Sequence, residues 1–96
     1  MRPVAISTWW FGEMAVRRAG ELLRAGGSSL DAVEEGIKVV EDDLRVTSVG
    51  YGGLPNSDGY VELDAAIMHG PTHSAGSVAA LRCIKNPISV ARRVME

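Results

Sequence analysis

The stretch SVGYGGLPNSDGYVELD, residues 48–64, places four glycines and a proline between a serine and an apolar run that contains two acids. Gly50, Gly52 and Gly53 interrupt what would otherwise be a continuous strand. Glycine inside a strand weakens it and often marks a bulge or a close approach by another backbone or a ligand. The segment therefore predicts the wall of a site, with Ser48 at its edge.

We compare the same segment with two common glycine-containing structures, a tight turn and a phosphate-binding loop. Residues 54–59, LPNSDG, have the proline, asparagine and glycine chemistry of a tight turn, and we predict a turn there. A phosphate-binding loop is disfavoured, because the segment lacks a GxxxxGK[ST] pattern and precedes a strand instead of opening a helix.

The residues after the turn predict a strand over YVELDAAIM, residues 60–68. Alternation along a strand places Leu63 on one face and Asp64 on the other. Asp64 is then a half-buried acid that needs a partner, and we assign it a structural role. Residues 75–84, AGSVAALRCI, fit either a second strand or a mixed element that is partly helical.

Three helices are predicted from apolar periodicity and end signals. The first begins at Gly12 and ends at Gly26 and Gly27, which supply a left-handed conformation. The second starts where Ser28 and Asp31 have capping-box spacing, and it runs to residue 41 or 42. Acids in EDD, residues 41–43, are unfavourable at a helix C-terminus, so either the helix stops before them or a later basic group compensates. The third has Asn86 as N-cap and a proline at its first position.

The start of the chain predicts a short buried strand over VAIS, residues 4–7, that delivers TWWF at its end. Alternation then sends Trp9 and Phe11 to one side and Trp10 to the other, so that one set faces something other than the core of this sheet.

We predict no catalytic or metal-binding role for the cysteine and the two histidines. Cys83 is the single cysteine, which excludes an intrachain disulfide, and its apolar neighbours predict a buried thiol. His69 and His73 flank a predicted turn and have no third ligand at sensible spacing, so we interpret them as surface histidines. Neither histidine accompanies a GxSxG nucleophile elbow. We expect no metal and no cofactor.

Composition and charge argue against two classes of partner, nucleic acids and membranes. The chain has 96 residues, 46% of them hydrophobic, and a formal net charge of −2. Without a basic surplus, nucleic acid is not an expected partner. No apolar run approaches the roughly 20 residues that span a bilayer, so we expect no membrane partner. The first residues do not resemble a secretory signal, which favours a cytoplasmic protein or a mature form.

Four segments in one order resemble the amino-terminal part of glycosylasparaginases, within the N-terminal-nucleophile hydrolase superfamily. They cover nearly the whole chain: STWWFG (7–12), AGGSSLDAVEEGIKVVE (25–41), SVGYGGLPNSDGYVELDAAIM (48–68) and GSVAALRCIKNPISVARRVME (76–96). The plant-type asparaginases and isoaspartyl peptidases are the nearest alternative. They usually begin with His-Gly-Gly and carry an Asn-Ala-Gly loop where this chain has VGYGG.

The resemblance implies an α+β fold, part of a four-layer αββα sandwich. It also implies a precursor that cleaves itself to expose a threonine, whose hydroxyl is the nucleophile and whose amino group is the base. The implied reaction is hydrolysis of the amide that joins N-acetylglucosamine to an asparagine side chain. Family members commonly form dimers of cleaved αβ units.

Carried over by motif, Trp9 and Phe11 are implied to line the substrate funnel and Ser48 to be a polar neighbour of the nucleophile. Asp64 also matches a family position. His69 departs from the family, since an aspartate commonly follows Ile-Met there.

The resemblance also implies what is missing from the chain. Thr8, Thr47 and Thr72 are its threonines, and none stands in a Gly-Asp-Thr cleavage motif. The nucleophile, and the arginine and aspartate that hold the substrate's α-carboxylate and α-amino group, belong to the family's carboxy-terminal portion. We therefore expect residues 1–96 to be the incomplete amino-terminal portion of a single domain, a hydrolase fragment with no catalytic residue of its own. The alternatives are an isoaspartyl peptidase or L-asparaginase of the same superfamily and a non-catalytic binding or assembly module.

Overall fold

Two amphipathic helices open the fold in the computed structural model, which describes residues 2–96. Helix α1 spans Gly12–Arg24 and α2 spans Ser29–Glu41. Between them Gly26 adopts φ 86°, the left-handed conformation that ends a helix. The hydroxyl oxygen of Ser28 accepts a hydrogen bond from the backbone N–H of Asp31 at 3.1 Å. The predicted ends of both helices are therefore confirmed.

Small residues let α1 and α2 pack closely. Ala19 and Ala32 are buried at 6% and 2% exposure. A Cβ atom added to Gly36 would lie 2.7 Å from the carbonyl oxygen of Ala15, so this position has no room for a side chain. The helix pair therefore forms one packed layer.

A two-stranded antiparallel sheet follows, with β1 over Leu63–His69 and β2 over Ser74–Leu81. The second of these elements, which the sequence left open, is a strand. A bulge interrupts the register after Leu63, and the backbone N–H of Ala80 donates to the Asp64 carboxylate there at 2.8 Å. The structural role of Asp64 is thereby accounted for, although its side chain is exposed and the half-buried prediction is wrong.

Helix α3, over Pro87–Met95, packs across both strands. The core lies at this contact, where Ile67, Ile88 and Ala91 have exposures of 6%, 1% and 0%. The opposite face of the sheet is open, and Met68 on that face is 60% exposed. The predicted α+β class is confirmed.

Arg92 joins α3 to α2 by charge. Its Nη1 atom lies 2.7 Å from Asp31 Oδ1 and 3.0 Å from Glu34 Oε1. The guanidinium, together with the Ser28 hydroxyl, holds the pKa of Asp31 below its usual value. Asp31 therefore serves two neighbours, since its backbone is capped by Ser28 while its carboxylate binds α3.

Glu41, the last residue of α2, is the one charged residue buried in the part of the chain that the structure describes, at 3% exposure. Its Oε2 atom accepts from the Ile88 backbone N–H at 3.1 Å, and its Oε1 atom accepts from Asn86 Nδ2 at 3.2 Å. Burial raises the pKa of the Glu41 carboxyl, against the opposing effect of these two donors. The carboxylate therefore caps α3, while Asn86, predicted as the N-cap, makes no side-chain capping hydrogen bond.

The predicted strand over residues 4–7 is wrong. These residues have no regular secondary structure, Val4 and Ile6 are 84% and 93% exposed, and within residues 2–96 the sheet contains only β1 and β2. A strand requires a neighbour for its backbone hydrogen bonds, and no described segment lies beside this one in a ladder. The alternation predicted for Trp9 to Phe11 fails with it, because Trp9 has φ 66° and the chain turns there into α1.

The predicted burial of Cys83 is also wrong, since its side chain is exposed. Cys83 lies in the connection between β2 and α3 and has φ 61°. A connecting segment runs over the surface, so apolar neighbours in sequence do not bury the thiol.

None of the helices within residues 2–96 has the length and apolar character that a membrane-spanning helix requires.

Gly76→Ala tests the contact between sheet and helix. A Cβ atom there would lie 2.5 Å from the Met95 backbone nitrogen, and such overpacking costs about 1–3 kcal/mol. We expect a lower urea midpoint by circular dichroism. Gly70→Ala is the control, because a Cβ atom at Gly70 meets nothing within 4 Å. Equal midpoints for the two variants would contradict this packing.

Glu41→Gln tests the buried charge through pH. Because burial raises the folded-state pKa of Glu41, the folded protein binds this proton more readily than the unfolded chain. This group's contribution to the free energy of unfolding therefore falls as pH rises through its folded pKa and is largest at acidic pH. We expect Glu41→Gln to remove that component, which the unsubstituted protein shows as pH rises above the ordinary carboxyl pKa of 4.5, in urea titrations. Asp58→Asn, at an exposed position away from Glu41, is the control, and an unchanged pH slope in Glu41→Gln would refute the burial effect.

Candidate functional site

The glycine loop, residues 47–54, is a closed turn of backbone. The Leu54 N–H donates to the Thr47 carbonyl at 3.0 Å, and the Gly53 N–H donates to the Gly50 carbonyl at 2.9 Å. Gly50–Gly52 form a 3-10 turn inside this ring. The loop is therefore not an interrupted strand, and its hydrogen bonds are largely internal.

The glycines are needed because the loop lies directly on other backbone. Gly50 is buried with φ 69°, and a Cβ atom there would lie 2.7 Å from the carbonyl carbon of Glu41. A Cβ atom on Gly52 would lie 2.7 Å from the Val46 carbonyl oxygen. The close approach predicted from the sequence is confirmed, and its partner is the end of α2 with the connection that follows it.

A groove of about 350 Å³ lies between the start of the chain, α2, the glycine loop and β1, and we call it the central groove. Its walls are mostly apolar, and all elements except β2 contribute to it. It is lined by Ile6, Ser7, Thr8, Phe11, Gly12, Ala15, Ile37, Val40, Glu41, Val49, Asp64, Ala65, Ala66 and Ile88.

Of the predicted site residues, Phe11 lines the central groove and Trp9 and Ser48 do not. Phe11 is half-buried and immediately precedes α1, with its ring 5.4 Å from that of Trp10 in an edge-to-face arrangement. Trp9 is 78% exposed, and Ser48 is exposed on the glycine loop. Their chain neighbours Thr8 and Val49 line the groove, so both residues lie next to wall positions in the sequence.

Three polar side chains that line the central groove, those of Ser7, Glu41 and Asp64, have hydrogen-bond partners. The Ser7 hydroxyl donates to the Gly12 carbonyl at 2.7 Å. The Glu41 carboxylate holds Ile88 and Asn86, and the Asp64 carboxylate holds Ala80. A hydroxyl nucleophile needs an adjacent base, and no such pair lines this groove within residues 2–96. The described residues therefore supply shape and apolar surface.

The acids after α2 are compensated by basic groups, as the sequence suggested. Arg45 Nη2 lies 2.7 Å from Asp43 Oδ2, and Lys85 Nζ lies 3.8 Å from Asp42 Oδ1. The side chain and backbone of Arg45 lower the pKa of Asp43 to about 2. These exposed pairs leave Glu41 as the acid that faces the protein interior.

Glu41 is the residue that sequence reasoning missed. The run EDD did signal an acid in an unfavourable place at a helix C-terminus. Its partners, Asn86 and Ile88, lie 45 and 47 residues further along the chain. Such a long-range pairing leaves no periodic pattern by which it could be found.

Comparison with known proteins relates the chain to enzymes. The model of the family described as Asparaginase matches residues 7–96. The chain is 55% identical, over 99% of its length, to N(4)-(Beta-N-acetylglucosaminyl)-L-asparaginase of Elizabethkingia miricola. It is 51% identical over 78% of its length to an isoaspartyl peptidase/L-asparaginase of Rattus norvegicus, and 59% identical over 73% to a plant-type L-asparaginase of Pyrococcus horikoshii.

These matches cover a minor part of each relative. The chain spans 28% of the Elizabethkingia protein, 22% of the rat protein and 23% of the Pyrococcus protein. The family match itself extends over almost the whole chain, from Ser7 before α1 to Glu96 after α3. On this evidence, the chain belongs to the Asparaginase family.

Proposed function

We propose that these residues form the amino-terminal part of an amidohydrolase that cleaves the amide between N-acetylglucosamine and the asparagine side chain. The observation that carries this proposal is the 55% identity along 99% of the chain to a protein named for that substrate class. The likeness to the asparaginases is of similar strength but extends over 78% and 73% of the chain.

The chemistry proposed is that of a threonine exposed by self-cleavage. Its hydroxyl oxygen attacks the side-chain amide carbon, while its own amino group takes the hydroxyl proton and returns a proton to the departing nitrogen. The carbon–nitrogen bond breaks and a β-aspartyl ester remains on the enzyme. Water then attacks that ester, which releases aspartate and restores the threonine.

In this proposal Trp9, Phe11 and Ser48 form one wall of the substrate site. Phe11 on the central groove supports the assignment, as does the position of Trp9 and Ser48 beside its lining residues. The exposed indole of Trp9 offers a flat apolar surface of the kind that packs against a sugar ring. Ser48, on a loop fixed by its own hydrogen bonds, offers a hydroxyl for the nucleophile's surroundings.

The proposed partner of these residues is the carboxy-terminal portion that carries the nucleophile, within a four-layer αββα sandwich. Support comes from large apolar side chains that this part of the fold leaves uncovered, since Ile6, Trp10 and Met68 have exposures of 93%, 62% and 60%. Exposed apolar surface of this kind marks an interaction face. We further propose dimers of αβ units.

An isoaspartyl peptidase or L-asparaginase is the second candidate, favoured by the 59% identity to the Pyrococcus protein. The candidates share chemistry and differ in the leaving group. The test is kcat/KM of the self-processed, full-length protein on glycosylasparagine, on a β-aspartyl dipeptide and on free asparagine. We expect the highest value on glycosylasparagine. A higher value on either other substrate would favour the second candidate, and no turnover on all three would favour a binding module.

Ser48→Ala in the full-length protein tests the proposed wall. Loss of a hydroxyl beside the nucleophile is expected to lower precursor cleavage or kcat by about tenfold or more, in line with the effect of removing a hydrogen-bonding group at a reaction centre. Ser57→Ala, in the turn after the glycine loop, is the matched control and should retain activity. Equal, negligible effects of both substitutions would remove Ser48 from the site.

A second prediction concerns the 96 residues alone. Because they supply no nucleophile in a cleavage motif, we expect no release of aspartate from glycosylasparagine, measured by a coupled assay. The full-length protein is the positive control. A Ser48→Ala preparation made in parallel excludes contaminating hydrolase. Turnover by the isolated 96 residues would then overturn the proposal that the nucleophile comes from the carboxy-terminal portion.

A further inference from the structure

The buried carboxylate of Glu41 has no role in the chemistry proposed above. Both of its oxygens are occupied by the segment that begins α3, since Oε2 accepts from the Ile88 N–H at 3.1 Å and Oε1 accepts from Asn86 Nδ2 at 3.2 Å. Pro87, between them, has no N–H to donate. An anion at this helix start satisfies an orphan donor and complements the helix dipole. The end of α2 is thereby fixed to the start of α3.

The backbone of the same residue supports the glycine loop. Gly50 leaves no space for a Cβ atom above the Glu41 main chain, where such an atom would lie 2.7 Å from the carbonyl carbon. Ser48 is two residues before Gly50 and belongs to the ring closed by the Leu54 to Thr47 hydrogen bond. Any displacement of the Glu41 main chain therefore moves the surface on which the Ser48 loop lies.

We propose that Glu41 is a positioning residue for Ser48, acting through Gly50. Its side chain ties α2 to α3, and its backbone then presents a fixed floor to the glycine loop. The role of Ser48 rests on the proposed function, whereas the effect of Glu41 on the loop does not. A shift of about 1 Å at a reacting group costs up to about a hundredfold in rate. Displacement of the Glu41 main chain, and with it of the glycine loop, should therefore lower the rate of turnover.

Asp42 provides a matched control. Its Oδ1 atom also accepts from Asn86 Nδ2, at 2.8 Å, and it lies one residue further along the chain. It is exposed and accepts no hydrogen bond from Ile88, which Glu41 binds. An effect confined to Glu41 therefore separates the buried tie from a general loss of acidic charge near Asn86.

The first measurement is amide hydrogen exchange in the full-length, self-processed protein. We expect Glu41→Ala to speed exchange at Gly53 and Leu54 by about tenfold or more, with α1 amides unchanged. Glu41→Gln, which keeps the side-chain length and one acceptor, should restore most of the protection, and Asp42→Ala should change nothing. If Glu41→Ala does not fold, Glu41→Asp, too short to reach Ile88, takes its place. Unchanged exchange at Gly53 and Leu54 would overturn the proposal.

The second measurement is a double-mutant cycle on turnover. We expect Glu41→Ala to lower kcat about tenfold or more with KM within threefold, and to lower it less than threefold further once Ser48 is alanine. Equal losses in both backgrounds would show that Glu41 does not act through Ser48. A full-length protein without amidohydrolase activity would refute the proposed function alone, because the exchange measurement still decides the role of Glu41.

Discussion

The carboxylate of Glu41, buried at the end of α2 and hydrogen bonded to the start of α3, is the constraint that fixes these two helix ends against each other. A buried charge is tolerated only when donors surround it, and here a backbone N–H and an amide both do so. The segment from α2 to α3 includes the glycine loop and the hairpin β1–β2. The hydrogen bonds of Glu41 therefore join the two ends of this segment, and the glycine loop and the hairpin lie between them.

Placement of the glycine loop follows from that closure. Gly50 contacts the Glu41 backbone and Gly52 contacts the Val46 carbonyl, so the glycines serve backbone contact within the fold. The same contact sets Val49 on the central groove and leaves Ser48 beside it at the surface. The loop that would present Ser48 in the proposed site is therefore the same loop that packs on the end of α2 and is closed by its own backbone hydrogen bonds.

Local features of the fold could be predicted from the sequence, and long-range ones could not. The ends of α1 and α2 followed from Gly26 and Ser28, whose effects act within one helical turn. The strand over residues 4–7 and the burial of Cys83 were wrong, since both depend on what lies across the fold. A family motif indicated Phe11, which lines the central groove, whereas Glu41 was missed because its partners are 45 and 47 residues away.

We have proposed that these residues form one wall of a site whose nucleophile is supplied by a self-cleaved carboxy-terminal portion. The intact denatured mass of the protein from its native source tests this most directly. We predict two chains, one that contains residues 1–96 and a second that begins with threonine. A single species near the 10.2 kDa of this chain, or one longer uncleaved chain, would contradict the proposed self-cleavage.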